Sequence, residues 1–152
     1  MAIQNQFVFE IEPFKGVGPI RFGMHKQDVA HAFTCVYRSF FKTSENKYRS
    51  DDNEVVGIIS HYNDEGLVKH IEIYLRPLDS KTEIYFQGQN ITAFSMKQGY
   101  EFFSKFSKNI TKDHYGYIFH DLGIFLFRYH WENEEDDIEA IQLASALNYW
   151  NY

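Results

Sequence analysis

Apolar and polar residues alternate in "FVFEI" (7–11), a period of two that predicts a first strand. A short extended piece at 20–22 follows. In "MHKQDVAHAFTCV" (24–36), Met24, Val29, Ala32, Phe33 and Val36 recur near helical spacing and predict a helix. "KTSENKYRSDDNE" (42–54) is polar and turn-rich, and is expected to be a loop holding a short strand near 47–49. The clearest signal is "VVGIISHYNDEGLVKHIEIYL" (55–75), where two β-rich runs flank Asn63-Asp64-Glu65-Gly66, a hairpin turn. On its second run Val68, Ile71, Ile73 and Leu75 form an apolar set, with His70, Glu72 and Tyr74 on the other face.

Beyond Pro77 the pattern begins again. "TEIYFQGQNITAF" (82–94) predicts a strand with a glycine turn. "SMKQGYEFFSKFS" (95–107) predicts a second helix, with Ser95 as N-cap and an apolar stripe of Tyr100, Phe103 and Phe106. "YGYIFHDLGIFLFRYHW" (115–131) gives two aromatic strands around His120–Gly123, and "ENEEDD" (132–137) turns the chain into "IEAIQLAS" (138–145). Two similar halves, 16–78 and 82–147, emerge within a single domain spanning 1–152. "HKQDV" and "MKQGY" share Lys-Gln at an offset of 71, and "HIEIYL" and "AIQLAS" lie 70 apart. A helix followed by three antiparallel strands in each half predicts an α+β fold: a single antiparallel sheet carrying both helices on one face.

Composition narrows the function. Aromatics reach 18% of 152 residues, more than one modest core encloses, so some are expected on an open sheet face or under the tail residues Tyr149, Trp150 and Tyr152. Tyr, Trp and Arg are the residue types that anchor protein interfaces. A net charge of −6 argues against a nucleic-acid partner, because phosphate contacts need a basic face. The N-terminus has no signal-peptide pattern and no apolar run reaches membrane-spanning length, which predicts a cytoplasmic chain with no membrane partner. Cys35, the single cysteine, reads as a small buried hydrophobe.

Candidate chemistry is sparse. "GVGPIRFGMHKQDV" (16–29) departs from a dinucleotide fingerprint because its third glycine is displaced, and Pro19 removes an N–H that an anion cradle would use. It reads as a strand-to-helix corner. The seven histidines show no metal-ligand spacing, and no nucleophile motif occurs. No catalytic residue, metal ligand or cofactor is therefore assigned. "ENEEDD" is the strongest local charge feature, and Asp51 and Asp52 extend it if the two hairpins lie side by side. "TEIYFQG" (82–88) resembles a tag-cleavage sequence but reads as native strand.

"KGVGPIRFGMHKQDV" resembles the opening of small bacterial toxin-immunity-like proteins with a G-x-G-x-I-x-F-G-M-x-x-x-x-V motif, carried here by Gly16, Gly18, Ile20, Phe22, Gly23, Met24 and Val29. "FQGQNITAFSMKQGYEFF" is similar to their central strand-turn and second helix. The resemblance implies a non-enzymatic protein that neutralises a cognate antibacterial toxin, a basic nuclease, by direct contact. Glu134, Glu135, Asp136, Asp137, Asp51 and Asp52 would supply charge, and Tyr129 and Trp131 the anchors. Two other readings stand beside it: a small-ligand module with an apolar pocket and His70 or His130 at its mouth, and a metal-dependent or hydrolytic enzyme built from scattered histidines and carboxylates.

Overall fold

A computed structural model describes residues 7–33, 38–75, 82–147 and 149–150. Cys35, Val36 and Tyr152 lie outside the described residues. The expected single sheet with two helices is overturned. The described chain is mostly β, built as two sheets with helices of only 4 and 8 residues.

The smaller sheet has five strands in the order β3-β2-β1-β8-β9: β1 (Phe7–Glu12), β2 (Gly16–Val17), β3 (Ile20–Arg21), β8 (Thr82–Phe86) and β9 (Gln89–Asn90). Its centre is a parallel pair in which Phe7 faces Thr82 and Phe9 faces Ile84. The larger sheet has eight strands in the order β10-β11-β12-β13-β7-β6-β5-β4 and is antiparallel throughout. Its strands are β4 (Arg38–Phe40), β5 (Ser50–Asn53), β6 (Ile58–Tyr62), β7 (Val68–Tyr74), β10 (Ile110–Asp113), β11 (Gly116–Phe119), β12 (Ile124–Phe127) and β13 (Ala140–Ala144).

The first helix, α1 (Lys26–Val29), is a single turn; of the helix expected over 24–36, residues 30–33 are turn and bend, and 34–36 lie outside the described residues. Its only buried residue is Val29, and β-branched and aromatic residues follow before the chain re-enters a strand at Arg38. Helix α2 (Met96–Phe103) is entered as its sequence indicates. Ser95 accepts from Gln98 N and Gln98 reaches back to Ser95 N, a full capping box. Four polar residues, "SDDN", form β5 in place of the expected loop. Their polarity conceals a strand in which Ser50 and Asp52 find partners on the outer face and Asp51 on the inner one.

The strand order of the larger sheet reads the same from either edge inward to the β7–β13 seam. Glu72 faces Gln142 there, and these two residues are 70 apart. Backbone bonds repeat with the same displacement. Lys26 N donates to Gly66 O at 2.9 Å and Met96 N to Asp136 O at 2.7 Å; Val68 N donates to Met24 O and Ile138 N to Phe94 O. His25 and Ser95 are the matching N-caps. The helix starts therefore align at 70 rather than 71, so Lys26-Gln27 matches Met96-Lys97. Each half carries four strands of this sheet, not three.

Both sheets bury one face in a shared core. Ile11, Val17, Ile20, Ile84 and Phe86 of the small sheet belong to the same cluster as Ile58, Ile71, Ile73, Leu126 and Ile141 of the large one. Phe86, Phe103 and Phe119 are its largest fully buried side chains, with Phe103 5.1 Å from Phe86 and 5.5 Å from Phe119. The glycine-rich segment is a corner. Gly18 sits at φ +53°, and a Cβ there would stand 2.5 Å from the Phe9 ring. The N–H groups of Gly18, Phe22 and Gly23 are spent on Glu10, Lys15 and Val68 carbonyls.

Candidate functional site

Strand alternation sends Ile71, Ile73 and Leu75 into the core and leaves His70, Glu72 and Tyr74 on the opposite face of the large sheet. A register shift opposite His61 and Tyr62 lets Val68 join the core while His70 remains outside it. This outer face divides into a polar half on β4–β7 and an aromatic half on β11–β13.

In the polar half, Ser50, His61 and Glu72 lie on three adjacent strands and are each less than a tenth exposed. Ser50 Oγ is 2.5 Å from His61 Nδ1, and His61 Nε2 is 2.9 Å from Glu72 Oε1. The exposed Lys42 donates to the same oxygen at 3.1 Å, and Tyr74 donates its hydroxyl to Oε2. Burial alone would push the Glu72 pKa up; the His61 hydrogen bond and the Lys42 charge reverse that and hold it at about 2. Tyr74 is pushed up to about 12, first by burial and then by the Glu72 charge. His70 lies beside this chain with its ring 5.5 Å from His61 and stacked under Tyr149 at 5.3 Å. Burial, reinforced by His61, drives its pKa down to about 3. Sequence reasoning put His70 and Glu72 on one face but missed Ser50 and His61. Only the cross-strand register brings them in.

The aromatic half exposes a ladder. Tyr115 stacks on Phe127 at 5.6 Å and on Tyr129 at 6.0 Å, and Tyr129 is 57% exposed. The Tyr129 N–H donates to Glu139 at 2.8 Å, tying the ladder to an open cleft of about 410 Å³. Asp52, Glu54, Asp137 and Glu139 line that cleft, with Tyr74 and Arg128. Arg38 pairs with both Asp52 and Glu54 at 3.3–3.4 Å. Burial, and next the Glu54 charge, raises the Asp52 pKa above the ordinary carboxylate range. Such a cleft favours a cation.

The structure thus joins Asp52 and Asp137 across the sheet, and separates Asp51 from them. Asp51 faces inward at 1% exposure, so its assignment to a partner-facing surface is corrected. Lys26 Nζ stands 2.9 Å from both of its oxygens, Tyr62 donates its hydroxyl at 2.6 Å, and Ser39 donates a further bond. The polar letters of "SDDN" could not show which aspartate turns inward.

The acidic turn is partly spent on its own structure. Asp136 accepts from the N–H groups of Glu132 and Asn133, which lowers its pKa. Glu134 accepts from Tyr117, while Glu132 and Glu135 are exposed. Trp131 is half-buried; its indole N–H donates to His114 O, its ring packs on Tyr117, and Lys112 lies over it at 5.1 Å. His130 is exposed against Tyr129, whereas His70 is buried.

Among the described residues, no three His, Cys, Asp or Glu side chains stand ready-made at metal-ligand spacing, and no helix is long and apolar enough to cross a membrane. No protein-family model, curated protein or solved structure matches the chain.

Proposed function

We propose that this protein binds and neutralises a basic partner, an antibacterial toxin of the nuclease kind, by direct contact through the outer face of its large sheet. The observation that carries the reading is the juxtaposition of the exposed Tyr115–Tyr129 ladder with a cleft lined by four carboxylates. Flat aromatic rings supply contact area at low entropic cost, and neighbouring negative charge selects and steers a cationic surface. The N-terminal motif resemblance points the same way.

The contact set differs from the one expected from sequence. Tyr129, Glu135 and Asp137 stay in it; Asp52 joins them through the cleft, and Glu54 and Glu139 are added. Asp51 leaves it. Asp136 shapes the turn that presents the others, Glu134 contacts through the Tyr117 end, and Trp131 buttresses that end.

The test is co-expression with the product of the gene directly upstream, the position a cognate toxin gene would take, followed by purification and assay of that product's activity. A stoichiometric, inactive complex is expected. Tyr129→Ala should weaken it by about 2 kcal/mol, the loss seen at an interface anchor. Full toxin activity in the presence of excess folded protein would reject the proposal.

A further inference from the structure

We propose that the cavity between α1 and the inner side of β5 binds a small neutral phenol, seated where the second half of the chain places its own Tyr100 ring. The site lies on the helix side of the large sheet, away from the outer face that meets the partner, and does not depend on that reading.

The internal repeat locates it. With the N-caps His25 and Ser95 aligned, buried Val29 matches buried Gly99, and Ala30 matches Tyr100. Ala30 keeps helical angles, φ −59° and ψ −25°, so its side chain leaves the turn on the face that Tyr100 occupies in α2. The strand beneath is equivalent as well. Asp51 lies across from Ser60, and Ser60 from Ile71; Tyr117 lies across from Leu126, and Leu126 from Ile141, the repeat equivalent of Ile71. In the second half Tyr100 packs on Tyr117 with ring centroids 4.7 Å apart. In the first half alanine and aspartate stand in place of both rings. A cavity of about 530 Å³ remains there, lined by Ala30 and Asp51 with His25, Lys26, His31 and Tyr48. That volume is in the range of small-molecule sites.

Its lining selects the ligand. The floor is an ion pair whose bonds are already made: Lys26 Nζ is held by both Asp51 oxygens and Arg49 O, and Asp51 takes further bonds from Tyr62 and Ser39. A saturated pair, neutral as a whole, favours an uncharged ligand, because a charged one would lose water and gain no counter-charge. Lys26 already stands over the Tyr62 ring at 4.8 Å, and the same ammonium offers its charge to a ring in the cavity. Half-buried Tyr48 supplies an aromatic wall. His25 accepts the Gln27 N–H at Nδ1, so its own proton sits on Nε2. That N–H has no hydrogen-bond partner among the described residues, and it is the donor for the phenol oxygen.

The full chain is titrated with para-cresol, the tyrosine side chain freed of its backbone, and followed by amide NMR. Toluene is the hydroxyl-free comparison. Saturable shifts are expected at 25–31 and at Tyr48, with a Kd of about 1 mM or tighter. Toluene should bind about 5-fold more weakly, the worth of one hydrogen bond. Ala30→Tyr refills the cavity from within, as in the second half, and should weaken cresol binding at least ~10-fold while its dispersed spectrum reports an intact fold. Absence of saturable shifts overturns the proposal, as does undiminished cresol binding by folded Ala30→Tyr. Toluene binding as tightly as cresol overturns the assignment to phenols. Should Ala30→Tyr fail to fold, wild type decides: contacts between the cresol ring and the Ala30 methyl and Tyr48 ring are expected as nuclear Overhauser effects, and their absence overturns the proposal.

Discussion

Replacing Asp51 by Asn separates a structural from an interface role for the acidic pair at 51–52. The substitution keeps the side-chain volume and removes the charge that faces Lys26. Breaking a buried ion pair from one side costs about 3–5 kcal/mol. Lys26 is 27% exposed and retains the Arg49 carbonyl and the Tyr62 ring, 4.8 Å away, so the lower end applies, about 3 kcal/mol. For a chain of this length that corresponds to a fall in Tm of about 6–12 °C. Urea unfolding of Asp51→Asn, Lys26→Met and the double variant closes a thermodynamic cycle, in which a coupling of about 1–3 kcal/mol is expected. Affinity for the toxin partner should be unchanged at a temperature where the variant is folded. A loss of under about 0.5 kcal/mol, the size of an ordinary surface substitution, together with weakened partner binding, would refute the inward assignment of Asp51.

Gly99 of α2 faces Leu126 and Ile138, whose methyls would stand 2.7 and 2.8 Å from an added Cβ. Gly99→Ala should destabilise by about 1–2 kcal/mol despite the better helix propensity of alanine, measurable by thermal melting. Gly18→Ala combines positive φ with contact against Phe9 and should lower stability by about 1–3 kcal/mol in urea titration. Burial raises the Asp121 pKa, but bonds from Lys108 N–H and the Ser107 hydroxyl outweigh it, and the net shift is downward. Its contribution is therefore present above the unfolded value of 3.8 and is lost as pH falls through the lower folded value. Asp121→Asn should be destabilising at neutral pH, with the difference from wild type shrinking in acid-titrated unfolding curves. Within "TEIYFQG", Ile84 and Phe86 are each 1% exposed in a strand paired on both sides. The tag protease should leave the native chain intact and cut, if at all, only in denaturant, as read by gel.

Local signals read correctly from sequence share one property: they depend on neighbours a few residues away. The 63–66 turn, the two faces of β7, the Ser95 cap and the 16–23 corner are of this kind. Alternation along β7 needs only the period of the pleat, and a capping box needs only Ser95 and Gln98. What escaped depends on pairing. β1 and β8 join in parallel with paired positions 75 apart in the chain, and that contact converts one expected sheet into two. Helical spacing at 24–33 yields only the one turn of α1, with turn and bend from Ala30 to Phe33. In β5 an uninterrupted polar run gave no apolar alternation to betray a strand, and so hid both the Asp51 pair and the Ser50 contribution. The outer-face chain of Ser50, His61 and Glu72 requires three strands in register, information that a single sequence distributes over 23 positions without marking it.

The most direct test of the central claim is the salt dependence of binding to the cationic toxin domain, compared between wild type and Glu54→Gln/Glu139→Gln, which discharges two cleft-lining carboxylates. Calorimetry at low and high salt should show wild-type affinity falling with salt, and the variant binding more weakly with a flatter dependence. Equal affinities for the two proteins at both salt concentrations would contradict the assignment of the cleft as the surface that meets the partner.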